Sequence, residues 1–373
     1  MQTDRRARSR VPVIGVLSPL GQGIAIATLV ASAAAIVLEW FVHADETFIF
    51  LVAAAAILGL AWVVGLATER LGGIAGPQVG GILNATFGNV AELIIAFFAL
   101  QAGLIDVVKA SLTGSIIGNL LLVLGASVLV GGLRHGTQRF NSRIAGSNAA
   151  LLVVAAIGLF VPAIFAITVG ERATETLVEE SAIVSVLLIV GYGLSLVWQF
   201  TNPDRTLGGH EPSAGHEGPV WTARTAVGVL LGSAVLLAVA SEILVGAIGS
   251  FVDSVGLSAF FVGVVLIPTI GNLAEHLVAV QLAAKNRMEF AMAVTYGSSL
   301  QVALFVAPVL VLVGLAIGQP MDLVFSPLEV VAVGAAVGIS ALIALDGESN
   351  WLEGALLVIV YLILAGSFLE LPG

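Results

Sequence analysis

Apolar residues fill this chain in long unbroken blocks, interrupted by short polar or glycine-rich breaks. The blocks fall at about 23–41, 47–67, 77–102, 105–132, 145–168, 181–200, 223–250, 257–284, 287–316, 327–345 and 351–370. Most run to about 20 residues or more, enough for a helix to cross a hydrocarbon layer of about 30 Å. A membrane barrel would instead show strands of about ten residues with alternating polarity, and that pattern is missing. The pattern predicts an all-α polytopic membrane protein with eleven transmembrane helices.

Composition agrees. The 373 residues are 58% hydrophobic and 10% charged, with a mean hydropathy of +1.08, whereas soluble domains carry about 25% charged residues. Cysteine is absent, which excludes disulfides and thiolate metal sites. The basic N-terminus (Arg5, Arg6, Arg8, Arg10) precedes an apolar run with no polar domain after it, so it reads as a retained first helix rather than a cleaved leader.

The net charge of −10 is unevenly spread. With the N-terminus in the cytoplasm, that side receives 12 of the 14 basic residues, including Arg70, Arg134, Arg139, Arg143, Arg205, Arg224, Lys285 and Arg287. Only Lys109 and Arg172 fall outside, where the segment Glu171 to Glu180 is acidic. Eleven crossings then leave the C-terminus outside, in what is expected to be a prokaryotic inner membrane.

Behind the first span, ten remain, five on each side of the Gly- and Pro-rich segment 201–222. The expected organisation is an N-terminal part (1–46), a first repeat (47–200), a cytoplasmic linker (201–222) and a second repeat (223–373). An odd number of crossings gives the two repeats opposite senses through the bilayer. Internal similarity supports the repeat. Gly88-Asn89-Val90-Ala91-Glu92 matches Gly271-Asn272-Leu273-Ala274-Glu275, the glutamates lying 183 residues apart (275 − 92). At the same offset Thr86 aligns with Thr269 and Gly114-Ser115 with Gly297-Ser298, while Asn119 lies one position beyond the partner of Gln301.

These motifs carry the candidate chemistry. Asn89 and Glu92 share one helix face, as do Asn272 and Glu275, and Thr86 and Thr269 extend it. Gly88, Gly271 and Pro268 weaken the helices there, and freed carbonyls are tolerated at membrane depth only around a cavity. Ser115, Asn119, Ser298 and Gln301 add oxygen from the next spans. Carboxylates, amides, hydroxyls and carbonyls without thiolate describe a hard-cation site, and Ca²⁺ takes about six to eight oxygens. An acid at mid-helix costs about 2.5–3.5 kcal/mol on insertion scales, and two close together also repel. Either a divalent cation neutralises the pair or protons do, and that exclusivity is the logic of an exchanger.

At these residues the chain resembles the Ca²⁺/H⁺ exchanger branch of the Ca²⁺/cation antiporter superfamily. The resemblance rests on Asn84 to Glu92, Pro268 to His276, Gly114 to Leu121, Gln138-Arg139-Phe140-Asn141, Gly297 to Gln301, and Ser349-Asn350-Trp351-Leu352-Glu353-Gly354. It implies one extra helix plus two inverted five-helix repeats, and Ca²⁺ export driven by inward proton flow with Glu92 and Glu275 as shared ligands. It also implies a prokaryotic-like form, because the linker holds only Asp204, Glu211 and Glu217 where eukaryotic members carry an acidic helix. The partners expected are Ca²⁺, H⁺ and lipid, with no cofactor, nucleic acid or enzymatic chemistry. The alternatives are a preference for Mn²⁺, coupling to Na⁺ or K⁺, and a passive channel. Two single glutamates speak against a channel's ring of acids, and no phosphate-binding glycine loop suggests an ATP-driven pump.

Several side chains stand further back. Glu242 is a candidate proton relay near the outer mouth, and His276 a candidate tuner of Glu275. Glu329, Asp346 and Glu353 lie near span ends and read as solvated, as do Glu171, Glu175, Glu179 and Glu180. His210 and His216 read as part of a flexible loop.

Overall fold

The computed structural model describes residues 17–169, 174–202 and 221–371. The basic N-terminal arginines, Glu171, Arg172 and most of the linker, with Arg205, His210 and His216, lie outside the described residues. In chain order the helices are α1 (Pro19–Val42), α2 (Glu46–Ala75), α3 (Pro77–Phe87), α4 (Val90–Gln101), α5 (Ile105–His135), α6 (Ser142–Val169) and α7 (Thr174–Thr201). After the linker come α8 (Ala223–Gly246), α9 (Ile248–Val255), α10 (Ala259–Ala284), α11 (Met288–Ile317), α12 (Pro327–Asp346) and α13 (Trp351–Leu369). Strands β1 (Gln138–Arg139) and β2 (Glu348–Ser349) pair antiparallel.

Among the described residues ten helices are long and apolar enough to cross a membrane. The eleventh expected span, 77–102, is present as two short pieces, α3 and α4, parted at Gly88–Asn89. The chain therefore has the polytopic all-α fold that the hydropathy predicts. Boundaries moved where polar caps decide them. Asp45 accepts from the Phe48 N–H to start α2, and Ser258 accepts from the Phe261 N–H to start α10. The expected span 223–250 ends at Gly246, and α9 follows as a separate short helix.

Among the described residues four helices contain a wide turn: α1 at its end, Leu38–Val42, α5 at Gly118–Val123, α10 at Val262–Leu266 and α11 at Val302–Val306. Such turns free backbone geometry near functional positions. Those of α5 and α11 coincide when one half of the sequence is shifted by 183 residues. In α10, Pro268 has no N–H to return to Val264, and the wide turn just before it accommodates that loss.

Packing is close where glycines meet. A methyl on Gly125 of α5 would meet Cβ of Leu357 at 2.8 Å and the Gly354 carbonyl oxygen at 3.0 Å, so α5 and α13 touch through their backbones. Phe50 of α2 stacks on Phe251 of α9 with ring centroids 4.0 Å apart.

At the far end of the bundle, Lys109 of α5 pairs with Asp322 and donates to the Val324 carbonyl at 3.0 Å. This ties down the 318–326 connection, whose Met321 and Leu323 are buried. Lys109→Met leaves Asp322 without its cation and should lower stability by on the order of 1–3 kcal/mol. The thermal midpoint of the purified protein reads it, and an unchanged midpoint would assign the anchoring to Met321 and Leu323 alone.

Candidate functional site

The two repeated motifs cross at the centre of the bundle. Asn89 leaves helical geometry (φ −104°, ψ 25°), which separates α3 from α4 and starts α4 just ahead of Glu92. The second motif differs. Helix α10 runs unbroken through Gly271 and Asn272, so the expected weakening appears at Gly88 and, for α10, at the wide turn before Pro268. A glycine alone does not break a helix that neighbours hold on both sides.

Each motif's glycine faces the other motif's glutamate. A methyl built on Gly271 would lie 3.1 Å from Cγ of Glu92. One built on Gly88 would lie 3.7 Å from Oε1 of Glu275 and 3.1 Å from Oε1 of Gln301. The carboxylates thus approach across a two-sided glycine contact that larger residues would prop open.

Around Glu92, Oε1 accepts from Ser115 Oγ and from Asn272 Nδ2, so each half of the chain supplies one donor. Its Oε2 is buried with no hydrogen-bond partner among the described residues, and so is Oε2 of Glu275. No Lys or Arg among the described residues pairs with either acid. Buried carboxylate oxygens left this way are costly until a cation or a proton reaches them. A second network lies beside them. Asn89 Nδ2 donates to Gln301 Oε1 at 2.6 Å, Ser298 Oγ donates to Asn89 Oδ1 at 2.8 Å, and Asn119 Nδ2 donates to Ser298 Oγ at 3.0 Å. At the 183-residue offset, Asn89 and Ser298 correspond to Asn272 and Ser115; Ser298 likewise lies within hydrogen-bond reach of its glutamate, Glu275, whereas Asn89 is engaged by Ser298 and Gln301.

Space is asymmetric too. Glu275, Gly88, Gly271, Ser298 and Gln301 line a cavity of about 510 Å³ between α2, the α3–α4 break, α10 and α11. Its rim carries the exposed Glu69, Asn84 and Val278. These lie toward the end of the bundle where α2 and α10 finish and α11 begins, the end that bears Arg70, Lys285 and Arg287. Glu92 lies outside that cavity, against a void of about 10 Å³ with Ser111, Leu112, Ser115 and Pro268.

Not every expected residue joins the site. Thr86 is exposed on α3 and does not line the cavity. Thr269 donates its hydroxyl to Val265 O at 2.6 Å, back along its own helix. Glu242 is exposed on α8, and His276 is half-buried, pointing away from the cavity wall as its position next to Glu275 requires. Glu329 is not solvated: it is 3% exposed, accepts from Thr113 Oγ1 at 2.9 Å and from the Ser326 N–H at 2.8 Å, and completes a capping box. Glu353 likewise caps α13 through Asn350 and is half-buried, while Asp346, Glu175 and Glu179 are exposed and Glu180 is half-buried. Glu69 and Ser111 escaped the sequence reading, because an acid beside Arg70 at a span end reads as solvated and a lone serine carries no signal.

No group of three or more His, Asp or Glu side chains gathers among the described residues, so a cation here would complete its shell from amide, hydroxyl and carbonyl oxygen. Residues 46–201 and 225–369, both halves around this site, match the sodium/calcium exchanger protein family. The chain belongs to the sodium/calcium exchanger protein family. Within it, the chain is 44% identical to the Ca(2+)/H(+) antiporter of Aphanothece halophytica, over 89% of this chain and 92% of that one. It is 46% identical to the Ca(2+)/H(+) antiporter of Synechocystis sp., over 88% and 92%. Among solved structures, the Ca²⁺/H⁺ antiporter protein YfkE is 37% identical, covers 94% of this chain and 100% of its own, and superposes with a TM-score of 0.80. Both halves of this exchanger-family chain thus contribute one motif to the crossing.

Proposed function

We propose that this protein is a secondary antiporter that exports Ca²⁺ from the cytoplasm in exchange for H⁺, with Glu92 and Glu275 shared between the two ions. The observation that carries the reading is the pair of carboxylates, one from each motif, each with a buried oxygen that has no hydrogen-bond partner among the described residues. Ca²⁺ bound by both is neutralised, and when Ca²⁺ leaves, protons on both restore neutrality, so at least two protons exchange per ion. Asn89, Asn272, Ser115, Ser298, Gln301 and backbone carbonyls at the Gly88–Asn89 break supply the remaining oxygens. Relatives named Ca(2+)/H(+) antiporter at 44–46% identity support the choice of ions.

The coincident wide turns of α5 and α11 support a division into inverted repeats, 47–200 and 223–373, joined by a linker and preceded by one extra helix. The excess of basic residues at the end of the bundle toward which the cavity extends supports a cytoplasmic placement of that end and of the N-terminus, with the C-terminus outside. The membrane is then the inner membrane of a prokaryotic cell, and the cavity admits Ca²⁺ from the cytoplasm to Glu275.

Everted vesicles test the reading. An imposed gradient, acid inside, should drive ⁴⁵Ca²⁺ uptake that collapses when a protonophore is added. Uptake indifferent to the pH gradient would identify a passive pore, and uptake that follows a Na⁺ or K⁺ gradient would reassign the coupling ion. Competition by Mn²⁺ in the same assay ranks the cargo.

A further inference from the structure

Two glycines at the same position of the two repeats sit in opposite surroundings. A methyl on Gly114 of α5 would overlap the Val264 carbonyl oxygen, and would lie 2.8 Å from Cγ of Pro268. Helix α10 is therefore seated on α5 there, and nothing larger than glycine fits. Nearby, a methyl on Gly263 would lie 2.9 Å from Cβ of Ala110 and 3.0 Å from the Val107 carbonyl oxygen. Val107, Ala110 and Gly114 form one face of α5, three to four residues apart. Pro268, part of this seat, also lines the small void against Glu92.

Shifted by 183 residues, the same face on α11 is Phe290, Ala293 and Gly297, and the segment that would seat on it is 80–85 of α3. Among the described residues no such seat is formed. A methyl on Gly297 would have no neighbour within 4 Å among the described residues, and Gly297 and Ala293 instead line the open cavity. Helix α3 leans the other way, on α2, where a methyl on Gly80 would lie 3.1 Å from the Gly72 Cα. A mid-helix glycine is less favourable than alanine, and at Gly297 nothing among the described residues requires one in this conformation.

We infer that Gly297, with Ala293 one turn before it, is the seat on which α3 closes the cavity when the site turns to the other side of the membrane. The inference rests on the antiport reading above. In the opposite state the halves exchange roles: α3 leaves Gly72 and packs on Gly297, and α10 lifts from Gly114. The glycine is then needed for a contact made only in half of the cycle.

The chain has no cysteine, so an introduced thiol is a unique handle. Gly297→Cys, labelled from the cavity side with a bulky thiosulfonate, should lose roughly ten-fold or more of the exchange shown by the same variant unlabelled. A small methylthio label should inhibit less, and Ca²⁺ binding by the solubilised labelled protein should persist. Labelling that leaves exchange intact overturns the seat. Loss of Ca²⁺ binding together with exchange also overturns it, since the position would then belong to the ion site. A second measurement holds even if Gly297→Cys transports poorly: Gly81→Cys combined with Gly297→Cys should form a disulfide in oxidised membranes, and its absence rejects the contact. If neither parent nor variant shows proton-driven uptake while the disulfide still forms, the antiport reading fails and the seat stands.

Discussion

Glu275→Gln should reduce proton-driven Ca²⁺ uptake to background, and Glu92→Gln should do the same. Each substitution keeps the shape of the side chain and removes one unit of charge. At 4 Å and an effective dielectric of 20, one pair of unit charges interacts by about 4 kcal/mol, which corresponds to about three decades in affinity. A divalent ion loses more than that. The amide also cannot take up and release a proton, so neither half of the exchange survives. The surroundings should tolerate both changes. Glu92 accepts from Ser115 and Asn272 through Oε1 alone, an atom glutamine retains. The check is ⁴⁵Ca²⁺ uptake in everted vesicles at matched expression. Substantial remaining exchange in both variants would remove the two acids from the centre of the mechanism.

Gly354→Val should abolish the folded state without touching the site. A Cβ at position 354 would meet the Leu129 backbone nitrogen, the Gly125 carbonyl oxygen at 2.6 Å and the Leu129 Cα at 2.7 Å. Those are main-chain atoms of α5, which cannot rotate aside as a side chain can. Overpacking of well-packed cores costs typically 1–3 kcal/mol, more where backbone must shift, and here α5 and α13 would have to separate. The expected result is loss of the monodisperse peak in detergent size-exclusion chromatography, or a markedly lower thermal midpoint. A variant as stable as the parent would show that α13 can lift from α5 without consequence.

Hydropathy revealed the membrane spans because every crossing segment must satisfy its backbone internally and face lipid or other apolar helices. The internal similarity was equally legible, since Gly88 to Glu92 and Gly271 to Glu275 differ in one residue type. The halves diverge where their local partners do. Gly88 stands at a break and Gly271 in an intact helix, a difference fixed by packing on α2 and α5 rather than by the pentapeptides. Glu329 illustrates a signal present but passed over: Ser326-Pro327-Leu328-Glu329 is a capping-box spacing, and it predicts a bonded carboxylate rather than a solvated one. Thr86 and Thr269 fit the expected helix face, yet a threonine in a helix readily returns its hydroxyl to the preceding turn, as Thr269 does. The cavity itself could not be read from sequence, because it depends on which way α3 leans, a matter of rigid packing.

The short β1–β2 ladder marks where the lipid must stop. Two strands of two residues leave outward-facing N–H and C=O groups that hydrocarbon cannot satisfy, and the pair carries Arg139 and Glu348, ion-paired at 3.1 Å and largely open to solvent. Trp351, exposed and one residue past Asn350, is the kind of ring that settles among headgroups. Together they draw a waterline across one end of the molecule, level with the turn from α5 into α6.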